Sequence, residues 1–327
     1  MPTFVVLPVI SMLAMIISQL PQVANLGLSA LPLAILLGIV YGQLSTEALT
    51  EKALKFSCFC KQKLLRLGII LFGFNLSFQQ IIAVGWQAVV IDFIVIITIF
   101  FVGTYLGIKV LKLPRDVAIL TSVGSAICGA AAILATESML KPRQQDVTVA
   151  IATVVLFGTT AMFIYPLLFQ FVDMNDSDFG MYIGSTVHEV AQAVAAGQSI
   201  SDETMQTAVV VKLIRVMLLA PFILMLSTLL CHFEPTKAAE KRVITIPWFV
   251  FGFVGTAAIN SMLVLPELLT QTLNLLSQFL LATAMAAIGA QTRWETIKKA
   301  GSKPLLLAFI LFLILMFGGY FLNYWFI

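Results

Sequence analysis

The chain has 327 residues, 60% of them hydrophobic and only 11% charged, and its mean hydropathy is +1.02, whereas soluble globular chains are about 45–50% apolar and about 25% charged. This composition excludes a soluble enzyme and predicts one all-α polytopic membrane domain over residues 1–327. The net charge of +3 is no nucleic-acid footprint, because the lysines and arginines gather at the ends of apolar segments; Cys58, Cys60, Cys128 and Cys231 are too few and too scattered for a disulfide framework.

With about 20 apolar residues needed per helical span, eleven hydrophobic segments follow in chain order, roughly 4–20, 28–44, 64–83, 88–110, 117–139, 146–171, 178–199, 204–231, 247–267, 272–292 and 304–326. The first has no basic residue before it and no small-x-small cleavage site, so it reads as a retained span. Residues 45–63 carry Lys52, Lys55, Lys61 and Lys63 and read as a basic amphipathic linker on the cytoplasmic surface, or equally as a solvated connection. Trp86, Trp248, Trp294 and Trp325 stand near span ends, where aromatic belts form.

Basic short loops mark the cytoplasmic side. Such loops lie at 47–66, 109–115, 140–146, 232–246 and 293–303, whereas 173–178 and 202–203 are acidic. Eleven full crossings from an internal N-terminus would place Lys141 and Arg143 outside and Asp173, Asp176 and Asp178 inside. All loops obey the rule if segments five and seven each return to the side they entered from, as two re-entrant or broken helices of opposite orientation.

The same two segments are rich in small residues, and a shift of 60 aligns GSAICGAAA at 124–132 with GSTVHEVAQ at 184–192. Non-helical backbone at membrane depth survives only inside protein or beside a water-filled cavity; small residues also serve plain helix contacts. A second match, at a shift of 216, superposes Gly73, Asn75, Gly85 and Gly103 on Gly289, Gln291, Gly301 and Gly319. In the loop-derived topology these copies are inverted, with repeat-like halves of about 28–171 and 178–327. Inverted repeats with broken helices and a midplane site describe secondary transporters.

Within this frame the polar residues at membrane depth are candidates, since an ionisable group there costs roughly 2.5–3.5 kcal/mol on insertion scales. Ser125 and Ser185 stand at the expected breaks, where free helix N-termini suit an anion. On a helix His188 and Gln192 share a face, and Glu189 lies one turn from Gln192. His188 can donate to a substrate oxygen or exchange a proton; Glu189 can orient it or carry a coupling proton. Lys212 and Arg215, about 9–16 Å along a helix starting near Gln206, can wall an anion path, pair with Glu189 or snorkel to the surface. Asn75 and Gln291 are amides at matching repeat positions and offer donors or acceptors without charge. Asp92 and Glu137 read as interfacial. H-E-V-A-Q at 188–192 lacks the second histidine of a zinc protease motif.

The stretches GSAICGAAAILATE, VTVAIATVVLFGTTAMFIYP, GSTVHEVAQAVAAG and VKLIRVMLLAPF resemble the YeiH-like bacterial inner-membrane family, commonly labelled sulfate exporters, from about Leu31 to Phe317. The resemblance implies a multi-pass bacterial inner (plasma) membrane protein that exports small oxyanions or sulfonates, with the inverted-repeat, crossed-helix architecture of sodium/proton antiporters and bile-acid symporters. The chain matches the family's motifs at Ser125, Cys128, Gly129, His188, Glu189, Gln192, Lys212 and Arg215. It departs at Asn75, where related segments often carry arginine.

The expectation is therefore a secondary active exporter of a small anion such as sulfate, working by alternating access and not an enzyme. Ser125, Cys128, Gly129, Ser185, His188, Gln192, Arg215, Asn75 and Gln291 would bind the substrate, and Glu189, His188 and Lys212 would carry coupling to H+ or Na+. No cofactor, metal or nucleic acid is expected; the partners are the anion, the coupling ion and the lipid bilayer, and a homodimer is compatible with the sequence. The alternatives are a sodium/proton-type cation antiporter, an anion channel, and an intramembrane hydrolase using Cys128 with His188.

Overall fold

The computed structural model describes residues 2–20, 23, 29–45, 50–233, 247–263 and 265–326, and every regular element among them is a helix. In chain order these are α1 (Thr3–Ser18), α2 (Ala30–Leu44), α3 (residues 51–75, with a π turn at Cys60–Leu64 and a 3-10 turn at Gly73–Asn75), α4 (Phe78–Ala83) and α5 (Gly85–Val110). Then follow α6 (Arg115–Ala126), α7 (Ala130–Leu140), α8 (Gln144–Phe169), α9 (Asp176–Thr186), α10 (Val190–Gln198), α11 (Asp202–Met217) and α12 (Leu219–Phe233). The chain closes with α13 (Trp248–Met262), α14 (Glu267–Gln291), α15 (Trp294–Ala300) and α16 (Ser302–Phe326).

Among the described residues, five continuous runs are long and apolar enough to cross a membrane: α5, α8, α14, α16 and the run Asp202–Thr228 through α11 into α12. α1, α2 and α13 are shorter apolar helices. Pro221 cannot donate to the carbonyl of Met217, which accounts for the break between α11 and α12. Large apolar side chains such as Phe93, Phe101, Phe317, Phe321 and Trp325 are exposed on the outer faces of α5 and α16, as lipid contact requires. From Glu51 onward the expected amphipathic stretch at 45–63 is helical. There it forms the first turns of α3, with Ala53, Ser57 and Cys60 buried and Lys55 exposed beside Glu51 at 2.6 Å. Residues 46–49 and the basic stretch 234–246 lie outside the described residues.

Two helix pairs fold back as hairpins. Arg143, just past α7, faces Asp116 at the start of α6 and bonds to Asp146 of α8 at 3.0 Å. Leu120 and Ile133, from the two arms of this hairpin, cluster with Val147 and Ala150 near the start of α8. The α6–α7 pair thus begins and ends at one end of the bundle. Likewise Gly180 of α9 and Gly197 of α10 both abut Thr204 at the start of α11. Since the 26-residue α8 spans about 39 Å between the two hairpins, they enter from opposite ends. Lys61, Arg143 and Arg293 lie at the first end, where Arg293 donates to the Gly42 carbonyl at 2.7 Å. Acidic Asp176, Asp178, Asp202 and Glu203 start α9 and α11 at the other.

Element boundaries repeat at both shifts read from the sequence. α6 stops at Ala126 and α7 starts at Ala130; 60 residues on, α9 stops at Thr186 and α10 starts at Val190. The unit from residue 51 to 110 recurs from 267 to 326, each with a long helix, a short one, and a positive-φ glycine (Gly85 at 74°, Gly301 at 84°) before the next long helix. α3 and α14 run antiparallel, with Lys61 bonded to Gln291 and Ser277 bonded to the Gly68 carbonyl at 2.8 Å.

Candidate functional site

The hairpin tips, residues 127–129 and 187–189, meet midway along the run Asp202–Thr228, so four helix ends converge in the interior. Two are C-termini, whose unpaired carbonyls carry partial negative charge. Arg215 takes up those of both hairpins: Nε donates to Ala126 O at 2.9 Å, Nη2 to Ser125 O at 3.1 Å, and Nη1 to Ser185 O at 2.6 Å. Lys212 Nζ donates to Ile127 O at 3.1 Å and to Val187 O. Because α11 begins at Asp202, the two cations sit about 15 and 20 Å along it, deeper than a start near Gln206 implies. Both are fully buried. Neither snorkels; a guanidinium fork and an ammonium serve as shared C-caps.

The other two ends are N-termini, which favour an anion. Glu189 supplies it to both. Its carboxylate accepts the Ala130 N–H of α7 at 3.4 Å and the Gln192 N–H of its own α10, while Gln192 Oε1 accepts the Glu189 N–H at 3.1 Å, closing a capping box. Gly129 makes the crossing possible. Its φ of 68° and ψ of −130° suit glycine alone, and a Cβ there would lie 2.6 Å from Glu189 Cγ. The thiol of Cys128 meets the Ala132 backbone N–H.

Several buried polar atoms around this junction have no partner among the described residues: both ring nitrogens of His188, Gln192 Nε2, the Ser125 and Thr121 hydroxyls, and both carboxylate oxygens of Asp92. Buried polar groups are nearly always satisfied, so an unpartnered set beside two capped helix crossings marks a place for a ligand. Asp92 corrects the interfacial reading. It is fully buried on α5. Thr121, a turn before Ser125 on α6, was also missed; the i, i+4 hydroxyl pair in TSVGS was the available signal.

Other expected site residues lie elsewhere. The Ser185 hydroxyl is engaged by the Tyr182 carbonyl at 3.1 Å and by Asn323 Nδ2 at 3.1 Å, so only its carbonyl reaches the junction. Asn75 ends α3 at the acidic end, where its carbonyl accepts from Gln206 at 3.2 Å. Gln291 ends α14 at the basic end, where Oε1 accepts from Lys61 at 3.0 Å. Both amides are terminal residues of long helices, which puts them at the rims. A cavity of about 180 Å³, lined by Lys61, Thr148, Gln291 and Arg293, opens at the basic end; Lys61 is within electrostatic reach of Glu189. A second, of about 290 Å³, lies at the acidic end against Gln80, Ser177, Glu203 and Gln206.

Residues 2–308 match the family model described as Conserved hypothetical protein 698. The chain is 47% identical over 308 residues to the UPF0324 inner membrane protein YeiH of Escherichia coli O6:H1, covering 94% of this chain and 88% of that protein. A UPF0324 membrane protein of Yersinia pestis is 45% identical over 98% of this chain and 91% of its own length. One from Bacteroides thetaiotaomicron is 41% identical over 94% and 93%. With helices that meet the length and polarity of membrane spans, the chain belongs to the UPF0324 family of YeiH-type inner membrane proteins.

Proposed function

We propose that this protein is a secondary active transporter that exports a small anion, such as sulfate or a sulfonate, by alternating access. The observation that carries the reading is the meeting of two opposed hairpin tips at mid-depth, with unpartnered donors from Ser125, His188 and Gln192 beside them and a cavity at either end. Antiparallel repeated units give such a site equivalent routes to both faces. In this reading His188, Gln192, Ser125 and the backbone at Cys128 and Gly129 contact the anion, Lys212 and Arg215 hold the local potential positive, and Glu189 carries the coupling proton. The basic end is cytoplasmic. The hydrolase alternative has little support, because neither ring nitrogen of His188 bonds to Cys128.

Proteoliposomes test this directly. Wild-type protein should accumulate labelled sulfate or methanesulfonate down an imposed proton gradient. His188→Ala and Glu189→Gln should each lose that proton-driven flux while eluting as folded protein; wild-type rates in both variants would overturn the site. Conductance far above a carrier's turnover would identify a channel. The unpartnered carboxylate of Asp92 favours one rival, a cation antiporter, for which flux would follow a sodium or proton gradient with no dependence on the anion.

A further inference from the structure

Glu189 occupies the position an anionic substrate would need. The N-termini of α7 and α10 are the anion-attracting features of the junction, and one carboxylate bridges them, accepting from Ala130 on one hairpin and closing the capping box on the other. The donors beside it remain unpartnered: His188 is 1% exposed with neither nitrogen bonded, and Gln192 Nε2 and Ser125 Oγ belong to fully buried residues. Lys212 and Arg215 are not free to compete, since both are spent on the carbonyls of residues 125–127, 185 and 187.

We infer that ionised Glu189 is a built-in competitor for a compact oxyanion: the substrate takes the paired N-termini when Glu189 accepts a proton and leaves them, so proton uptake and anion binding are one event. This rests on the anion-transport reading and makes the coupling a co-transport of proton and anion in the same direction, so that export runs when the outward anion gradient and the membrane potential acting on the net negative complex exceed the inward proton gradient. Bridging the two hairpins with two anions at once would place like charges against each other at low dielectric, which costs several kcal/mol at contact distance; protonating one removes that cost. At 8% exposure Glu189 is the least buried of the four charged residues here, the others being Asp92, Lys212 and Arg215 at 0%. The titratable or charged groups around Glu189 are Lys61 from α3, Lys212 from α11 and Cys128 from the opposite tip, with His188 adjacent in sequence; α8 sets Val154 against Gly129 and Gly158 against the Gln192 amide.

Isothermal titration of the purified full chain with sodium sulfate, in buffers of different ionisation enthalpy, tests the inference. Wild-type protein should take up about one proton per sulfate, and affinity should fall about tenfold per pH unit once Glu189 is ionised. Glu189→Gln should bind sulfate with no proton uptake and with an affinity flat in pH. Sulfate binding to the wild type without proton uptake overturns the inference, a result that needs no variant to fold. Proton uptake that survives in Glu189→Gln assigns the proton to another buried group, His188 or Asp92, and also overturns it. Absence of binding for sulfate, methanesulfonate and acetate alike, at every pH, overturns the anion reading itself.

Discussion

Gly158 of α8 lies directly beneath the amide of Gln192, so that a Cβ at position 158 would fall 2.0 Å from Gln192 Oε1. That oxygen accepts the Glu189 N–H and holds the cap of α10 closed. Gly158→Ala should push Gln192 away, open the box and displace Glu189. A lost N-cap costs about 0.5–2 kcal/mol and overpacking about 1–3 kcal/mol, so thermal unfolding in detergent should show a clear drop. Gly255→Ala is the control, because nothing lies within 4 Å of its added carbon; its melting temperature should hold or rise slightly.

Arg215→Lys is not a conservative change at this junction. The guanidinium reaches carbonyls on both hairpins with three nitrogens, whereas one ammonium on a shorter stem replaces that spread fork with a single point of donation. Each buried carbonyl left unpaired costs about 1–3 kcal/mol, giving an expected loss of about 2–5 kcal/mol. Amide hydrogen exchange should rise at residues 125–133 and 185–193 before it rises elsewhere. Uniform protection across both tips in the variant would show that Arg215 does not tie them together.

Much of this arrangement was legible from charge and spacing. The basic loop at 140–146 and the acidic loop at 173–178 forced the return of two segments, and shifts of 60 and 216 reappear as shared helix boundaries. Gly103 and Gly319, paired by the larger shift, abut Ser122 of α6 and Thr186 of α9. What was not legible is which groups each charge spends itself on. Cations near GSAICG and GSTVHE suggest a free anion site, but carbonyls released by the two breaks claim them first. Asp92 looked interfacial because it lies about a turn and a half into its segment; its burial depends on α6, α9 and α11 closing around α5, which no local pattern encodes. Asn75 and Gln291 are the last residues of α3 and α14 and so sit at opposite rims.

Lys61 offers a prediction about entry. Its ammonium lines the basic-end cavity and bonds to Gln291, and part of the residue is exposed. A cation in such a mouth raises the local anion concentration, an effect that salt screens over about 10 Å at 0.1 M. Lys61→Gln should therefore slow anion loading from this side and flatten its dependence on ionic strength, with little change in melting temperature. Flux from the opposite side should be less affected, which sided proteoliposome assays can separate.

Asp92 and Arg215 provide the sharpest test of how the buried charges balance. Two cations, Lys212 and Arg215, share the junction with two carboxylates, Glu189 and Asp92, all within the interior. Asp92 has no hydrogen-bond partner among the described residues, so what it contributes to this set is electrostatic. Removing one member of a buried set leaves the others uncompensated and costs about 3–5 kcal/mol. Arg215→Met should accordingly be severely destabilised, whereas Arg215→Met combined with Asp92→Asn should recover part of the loss. The double-mutant cycle should yield a coupling of about 1–3 kcal/mol. A coupling near zero would mean that Asp92 answers to Lys212 alone, and the cycle built on Lys212→Met with Asp92→Asn would then carry the whole term.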